Sequence, residues 1–149
     1  MRSVALAHAP TLEASPHAMP PILSPPPMPD LAAYEQAARL PFPAVVQQLS
    51  DLLGAKLVAY LAGVRDTHAV RGWVGGARDA QTPIPRLRLA LQVAMLIAQH
   101  ESPRVVQAWF QGLNPQLEDR SPARLLREGD LHEVGPEVLS AARVFTSGG

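Results

Sequence analysis

One segment constrains the fold more than any other: residues 83–101 have the sequence PIPRLRLALQVAMLIAQHE. In a helix, Leu87, Leu91 and Met95 would share one side, while Leu89 and Val93 would lie on others. A helix that is apolar on nearly every side is usually buried at the centre of a bundle. The apolar run is shorter than the roughly 20 residues that a membrane-spanning helix requires. It therefore predicts a central helix against which the rest of the chain packs.

The remaining segments also follow helical periodicity, separated by prolines and glycines. Asp30, Ser102 and Ser121 are expected N-caps, and Gly54 is expected to end a helix. No alternating strand pattern extends beyond a few residues, so the predicted fold class is all-α. The predicted helices cover residues 31–40, 42–53, 55–64, 67–76, 83–101, 103–113, 122–128 and 136–145.

Eight prolines lie between residues 9 and 29. Each lacks a backbone N–H donor and restricts the residue before it, so this stretch cannot form regular helix or sheet hydrogen bonds. Residues 1–29 are predicted to be a disordered, proline-rich arm outside the core. A proline-rich recognition ligand is the alternative interpretation of the same composition.

Composition excludes several function classes. There is no cysteine, hence no disulfide scaffold and no thiolate zinc site. The five histidines show no metal-binding spacing, and neither a phosphate-binding glycine loop nor a G-x-S-x-G elbow occurs. We therefore expect a non-enzymatic protein with no cofactor and no metal. Lacking a membrane span or a signal peptide, it is expected in the cytoplasm.

Charge is unevenly distributed although the chain is neutral overall. Residues 54–99 carry six basic and two acidic side chains, a net charge of +4, whereas residues 100–149 carry five basic and seven acidic ones, a net charge of −2. Two partners of different electrostatic character are the simplest expectation.

The basic middle contains the pattern of a helix-turn-helix, LVAYLAGVRDTHAVRGWVGG. Ala59 permits close helix packing, Gly63 supplies the turn, and Val70 and Trp73 would point inward. The apolar positions of the second helix fall one residue later than in the usual template, which predicts a turn longer by one residue. Such a helix presents arginine to base edges in the major groove. The side chains expected to contact DNA are Lys56, Arg65, Thr67, His68, Arg71 and Arg78.

The sequence QAWFQGLNPQLEDRSPARLLREGD, residues 107–130, resembles the toxin-binding domain of the Xre/MbcA/ParS antitoxin family. The resemblance extends over about residues 45–145, and Phe110 stands where many members have leucine. It implies three regions: the arm at 1–29, the helix-turn-helix region at 30–82, and a linking helix with a small toxin-binding domain at 83–149. The matching positions are Trp109, Asn114, Pro115, Leu117, Pro122, Leu125, Leu126 and Gly129.

The resemblance also implies partners and a mechanism. The partner would be a RES-domain toxin that consumes NAD, and the antitoxin would block the toxin's cleft with a terminal segment, either residues 137–149 or the arm. A homodimer that represses its own operator, and a larger complex with the toxin, are expected. Arg120, Arg124 and Arg127 are expected to contact the toxin, because so short a helix rarely needs three arginines for stability. Arg143, in the segment 137–149, is expected to mimic the contacts of a cationic ligand or to pair with acidic residues of the toxin's cleft.

Two other functions fit the same residues. The chain could be a stand-alone transcription regulator that dimerises through its C-terminal half. It could also be a helical interaction module that does not bind DNA.

Overall fold

The computed structural model describes residues 29–148, and this part of the chain is all-helical, as predicted. It has eight α-helices and one short 3-10 helix at Pro115–Leu117. The predicted proline-rich arm lies outside the described residues except for Pro29, which begins the first helix. The helices are α1 Pro29–Arg39, α2 Phe42–Leu53, α3 Ala55–Ala62, α4 Thr67–Val74, α5 Ile84–Ala98, α6 Pro103–Gln111, α7 Pro122–Glu128 and α8 Leu131–Thr146.

The apolar segment forms α5, and it is central as predicted. It packs against α1, α2, α3, α6, α7 and α8. Leu87, Leu91 and Ile97 are completely buried on it. Because residues from both halves of the chain pack on this one helix, the described residues share a single continuous hydrophobic core.

Helix ends follow the local chemistry of the sequence. The hydroxyl of Ser102 accepts the N–H of Val105 at 3.4 Å, and that of Ser121 accepts the N–H of Arg124 at 3.2 Å. Both serines are therefore N-caps, as predicted. Gly54 and Gly63 end α2 and α3 with φ of 87° and 77°, a conformation that glycine adopts without steric penalty.

Two predicted helix starts are wrong. Asp30 lies within the first turn of α1 rather than capping it, and its carboxylate pairs with Arg143 on α8. The last helix begins at Leu131, not at Pro136, because Asp130 caps it by accepting the N–H of His132 at 2.8 Å. Pro136 follows within two turns of that start, where its missing N–H removes only one helical hydrogen bond.

Candidate functional site

The short helices α3 and α4 are joined by the four residues 63–66. The N–H of Val64 donates to the carbonyl of Ala59 at 3.0 Å, which closes the end of α3. Asp66 then caps α4 by accepting the N–H of His68 at 2.9 Å. Val70 and Trp73 are buried, and the Trp73 ring lies 6.2 Å from that of Phe42 on α2. The inward residues of α4 thus anchor it to α2 and leave its other face to solvent.

The six side chains predicted to contact DNA all lie on or beside α3 and α4. Lys56, Arg65, His68, Arg71 and Arg78 are exposed, and Thr67 is half-buried. Arg71 donates to the Thr67 hydroxyl at 2.9 Å, one turn away on the same helix. A pocket of about 310 Å³ on α4 is lined by His68 and Arg78 among others. The predicted residues therefore form one surface region.

Four of the basic side chains in this region form no ion pair in the described part of the chain. They are Lys56, Arg65, Arg71 and Arg78. The other two basic residues of the +4 segment are used inside the fold. Arg88 donates to the carbonyls of Ala37 and Leu40 at 2.9 and 2.7 Å, at the C-terminal end of α1. Arg86 is half-buried and reaches the carbonyl of Ala62 at 3.5 Å. The net charge of the segment therefore overstates the number of cationic side chains that are available to bind an anion from outside the fold.

A second pocket in this region, of about 530 Å³, we call the basic pocket. It brings together three cationic side chains and one carboxylate, that of Asp66. Two of the cations, Lys56 and Arg65, are predicted DNA contacts, but the third is Arg127 from α7. The lining residues are Lys56, Ala59, Tyr60, Val64, Arg65, Asp66, Thr67 and Arg127.

The arginines predicted to contact a toxin all have partners within the chain. Arg120 donates to the carbonyl of Leu117 at 2.9 Å and pairs with Glu118 at 3.3 Å and Glu137 at 3.9 Å. Arg124 pairs with Glu128 at 3.2 Å. Arg143 pairs with Asp30 of α1. These three cations are thus largely neutralised by neighbouring carboxylates.

Arg127 differs from the other three, because its partner is not a carboxylate. It donates to the carbonyl of Tyr60 at 2.7 Å, and its guanidinium carbon lies 4.6 Å from the centre of the Tyr60 ring. The structure thus places this residue beside the predicted DNA contacts, across the boundary at residue 82 that the sequence suggested.

Five of the eight motif positions named in the sequence analysis lie on α6, in the segment after it, on α7 and directly after α7. The side chain of Asn114 accepts the N–H of Gln116 at 2.8 Å, at the start of the 3-10 helix that Pro115 begins. Trp109 and Leu125 are buried. A Cβ at Gly129 would lie 2.5 Å from Val134, so only glycine fits there.

The turn after the 3-10 helix contains the two non-glycine residues of residues 29–148 that have a positive φ. Glu118 and Asp119 both have positive φ, 58° and 60°, and both are exposed. The N–H of Asp119 donates to the carbonyl of Asn114 at 2.9 Å, and the N–H of Asn114 donates to the carbonyl of Arg120 at 3.1 Å. Two consecutive non-glycine residues in the left-handed backbone conformation cost conformational energy, and such strain is concentrated at functional sites.

An apolar groove of about 590 Å³ lies between the end of α6, the residues after it and the end of α8. We define the apolar groove by Trp109, Leu113, Val144 and Phe145. Leu113 is 74% exposed and Phe145 40% exposed, whereas Trp109 is only 8% exposed, with its ring 6.4 Å from that of Phe145. The indole N–H of Trp109 is buried without a hydrogen-bond partner.

Sequence reasoning missed this groove. Helical periodicity places Val138, Ala142 and Phe145 on one stripe of α8, and the first two are buried. Phe145 lies at the end of that stripe, where none of the described elements covers it fully. Leu113 was expected within a helix, but α6 ends at Gln111. The only available signal was the position of Leu113 directly before Asn114 and Pro115, which stop a helix.

Within residues 29–148 no group of three or more histidine and carboxylate side chains could hold a metal ion. No helix in this part of the chain is both long and apolar enough to cross a membrane. No family model, curated protein or solved structure matches this chain.

Proposed function

We propose that the chain is an antitoxin that binds and blocks a RES-domain, NAD-consuming toxin and represses its own operon by binding DNA. The observation that carries the toxin-binding part is the apolar groove. Large apolar side chains are exposed there, next to the segment that resembles a toxin-binding domain. Exposed apolar clusters bordered by polar residues are typical of protein interfaces.

The predicted blocking segment, residues 137–149, is mostly part of the fold. Val138, Ala141 and Ala142 of α8 are buried in the core. An insertion into a toxin cleft by this segment would therefore use the end of α8, from Val144 onward. This end also lines the apolar groove. The groove and the end of α8 would then contact the toxin as one surface, with Val144 and Phe145 belonging to both.

The DNA-binding part of the proposal is supported by α3 and α4. A short helix is held by two buried apolar residues and presents His68 and Arg71 to solvent. Unpaired cations on the same surface would contact phosphates. Operators of helix-turn-helix proteins are commonly two-fold, so the proposal includes a homodimer, which analytical sedimentation would detect.

The test is co-expression with the product of an adjacent RES-domain gene. We expect the toxin alone to stop growth, co-expression to restore it, and the two proteins to purify together. If the proteins neither associate nor offset each other in growth, the antitoxin proposal is wrong.

The second candidate function is a stand-alone transcription regulator. The four unpaired cations around α4 favour it equally well. Operator binding that Arg71→Ala weakens is expected of both candidates, whereas a genome neighbourhood without a toxin gene would support the regulator over the antitoxin.

A further inference from the structure

Arg127 is placed where its charge has no carboxylate partner. Its neighbour on the same helix, Arg124, pairs with Glu128, whereas Arg127 contacts only the carbonyl and ring of Tyr60. A guanidinium has five N–H donors, and only one of them has a partner in the described residues. Four donors and the full positive charge therefore remain available.

The contact with Tyr60 fixes the position of that charge. A hydrogen bond at 2.7 Å and the ring at 4.6 Å hold the guanidinium against α3. Ordering the side chain in advance reduces the entropy that binding would otherwise lose. Planar guanidinium groups are also well suited to bind phosphate oxygens through two N–H donors.

The other members of the basic pocket complete an anion site. Lys56 at the start of α3 and Arg65 in the turn are exposed and have no hydrogen-bond or ion-pair partner in the described residues. The only carboxylate, Asp66, is occupied as the N-cap of α4. The pocket thus has a surplus of positive charge and borders the N-terminal turn of α4 at Thr67, on the surface predicted to meet DNA.

We propose that Arg127, together with Lys56 and Arg65, binds a backbone phosphate of duplex DNA in the basic pocket. This inference rests on the proposed DNA binding by α3 and α4. It extends the DNA interface to the C-terminal half, and it assigns to DNA a residue that the sequence had assigned to a toxin. A phosphate contact gives affinity without sequence information, so it should be present on any duplex.

The test measures binding of the full chain to a fluorescein-labelled, mixed-sequence duplex longer than two helical turns, by anisotropy. KCl would be varied from about 50 to about 200 mM. For Arg127→Gln we expect roughly tenfold weaker binding at the lowest salt, and a slope of log affinity against log salt reduced by about 1. Arg127→Lys keeps the charge and should retain most of the slope.

Arg124→Gln is the matched control, because it removes the same charge from the same short helix outside the basic pocket. It should leave both affinity and slope close to those of the unaltered chain. Circular dichroism melting of each variant would show that the fold is intact. A change of slope is informative here, since loss of a structural contact alone would not alter the number of phosphates neutralised.

Two outcomes would overturn the inference, and they are distinguishable. If the unaltered chain binds no duplex at the lowest salt, the proposed DNA binding fails and the inference with it. If the unaltered chain binds duplex and Arg127→Gln binds with the same affinity and slope, DNA binding stands and only the role of Arg127 is wrong.

Discussion

The surface around α4 and the surface around the end of α8 differ in how their charges are compensated. Near α4, Lys56, Arg65 and Arg78 have no carboxylate partner among the described residues. Around the end of α8 and the segment before α7, Arg143 pairs with Asp30, and Arg120 pairs with Glu118 and Glu137. The exposed side chains that set this second surface apart are apolar, namely Leu113 and Phe145.

This difference indicates two kinds of partner. Unpaired cations attract a polyanion, and their contribution weakens with salt. An exposed apolar groove gains free energy by excluding water, which salt does not screen. Of the following substitutions, Leu113→Asp and Arg71→Ala should each affect one surface and leave the other unchanged, whereas those at Arg88 and at two glycines test the fold that supports both surfaces.

The largest effect is expected from Leu113→Asp in the apolar groove. A charge at a central apolar contact should weaken toxin binding by at least roughly 30-fold, as for interface hot spots. Because Leu113 is so exposed, the free energy of unfolding should change by less than about 0.5 kcal/mol. Isothermal titration against the toxin would measure the loss. Leu31→Asp is the control, since Leu31 is an exposed leucine on α1 that does not line the groove. Equal losses for both variants would contradict the groove as the interface.

The next largest effect is a loss of stability, expected from substitution of Arg88. This residue contributes to the net charge of +4 over residues 54–99, which alone would suggest that it contacts DNA. Arg88→Met removes the donor to the carbonyls of Ala37 and Leu40, and should lower the free energy of unfolding by about 1.5–3 kcal/mol. Urea denaturation followed by circular dichroism would measure it. DNA affinity measured well below the urea transition should not change. A loss of DNA affinity without a loss of stability would show that Arg88 contacts DNA rather than stabilising the end of α1.

Arg71→Ala should weaken operator binding by about tenfold, because one arginine–base contact contributes about 1–3 kcal/mol. Toxin binding should be unaffected. Gel mobility shift gives the first measurement and titration calorimetry the second. Arg39→Ala, which removes an exposed arginine of α1, serves as the control. Were Arg39→Ala to weaken DNA binding as much, long-range charge rather than α4 would account for it.

The smallest expected effect is the difference in stability between alanine substitutions at two glycines, Gly63 and Gly148, that both have positive φ. Gly63→Ala should destabilise the fold by roughly 1 kcal/mol, because φ there is 77° and the turn is fixed between α3 and α4. Gly148, with φ of 87°, lies beyond α8, is exposed and is not held between two described helices, so Gly148→Ala should have almost no effect. Urea midpoints of the two variants compare them directly. Equal urea midpoints would show that the turn between α3 and α4 does not require the positive φ of Gly63.

The sequence was sufficient to predict local features that depend on a few neighbouring residues. The caps at Ser102 and Ser121 and the helix end at Gly54 were predicted and are confirmed. The burial of α5 was also predictable, because a helix that is apolar on nearly every side has to lie inside.

Features that depend on distant residues could not be predicted. Arg127 and Tyr60 are 67 positions apart, and Asp30 and Arg143 are 113 apart. Neither pair leaves a local pattern in the sequence. The capping role of Arg88 was hidden for the same reason, since its acceptors lie 51 and 48 positions earlier. The apolar groove arises where two helices end, and periodicity does not predict which end stays uncovered.

The most direct test of the central claim measures NAD consumption by a purified RES-domain protein, the partner that the proposed function requires. We predict that an equimolar amount of the chain stops consumption, and that Leu113→Asp fails to do so while Leu31→Asp still does. Unchanged consumption in the presence of excess, folded chain would contradict the proposed antitoxin function.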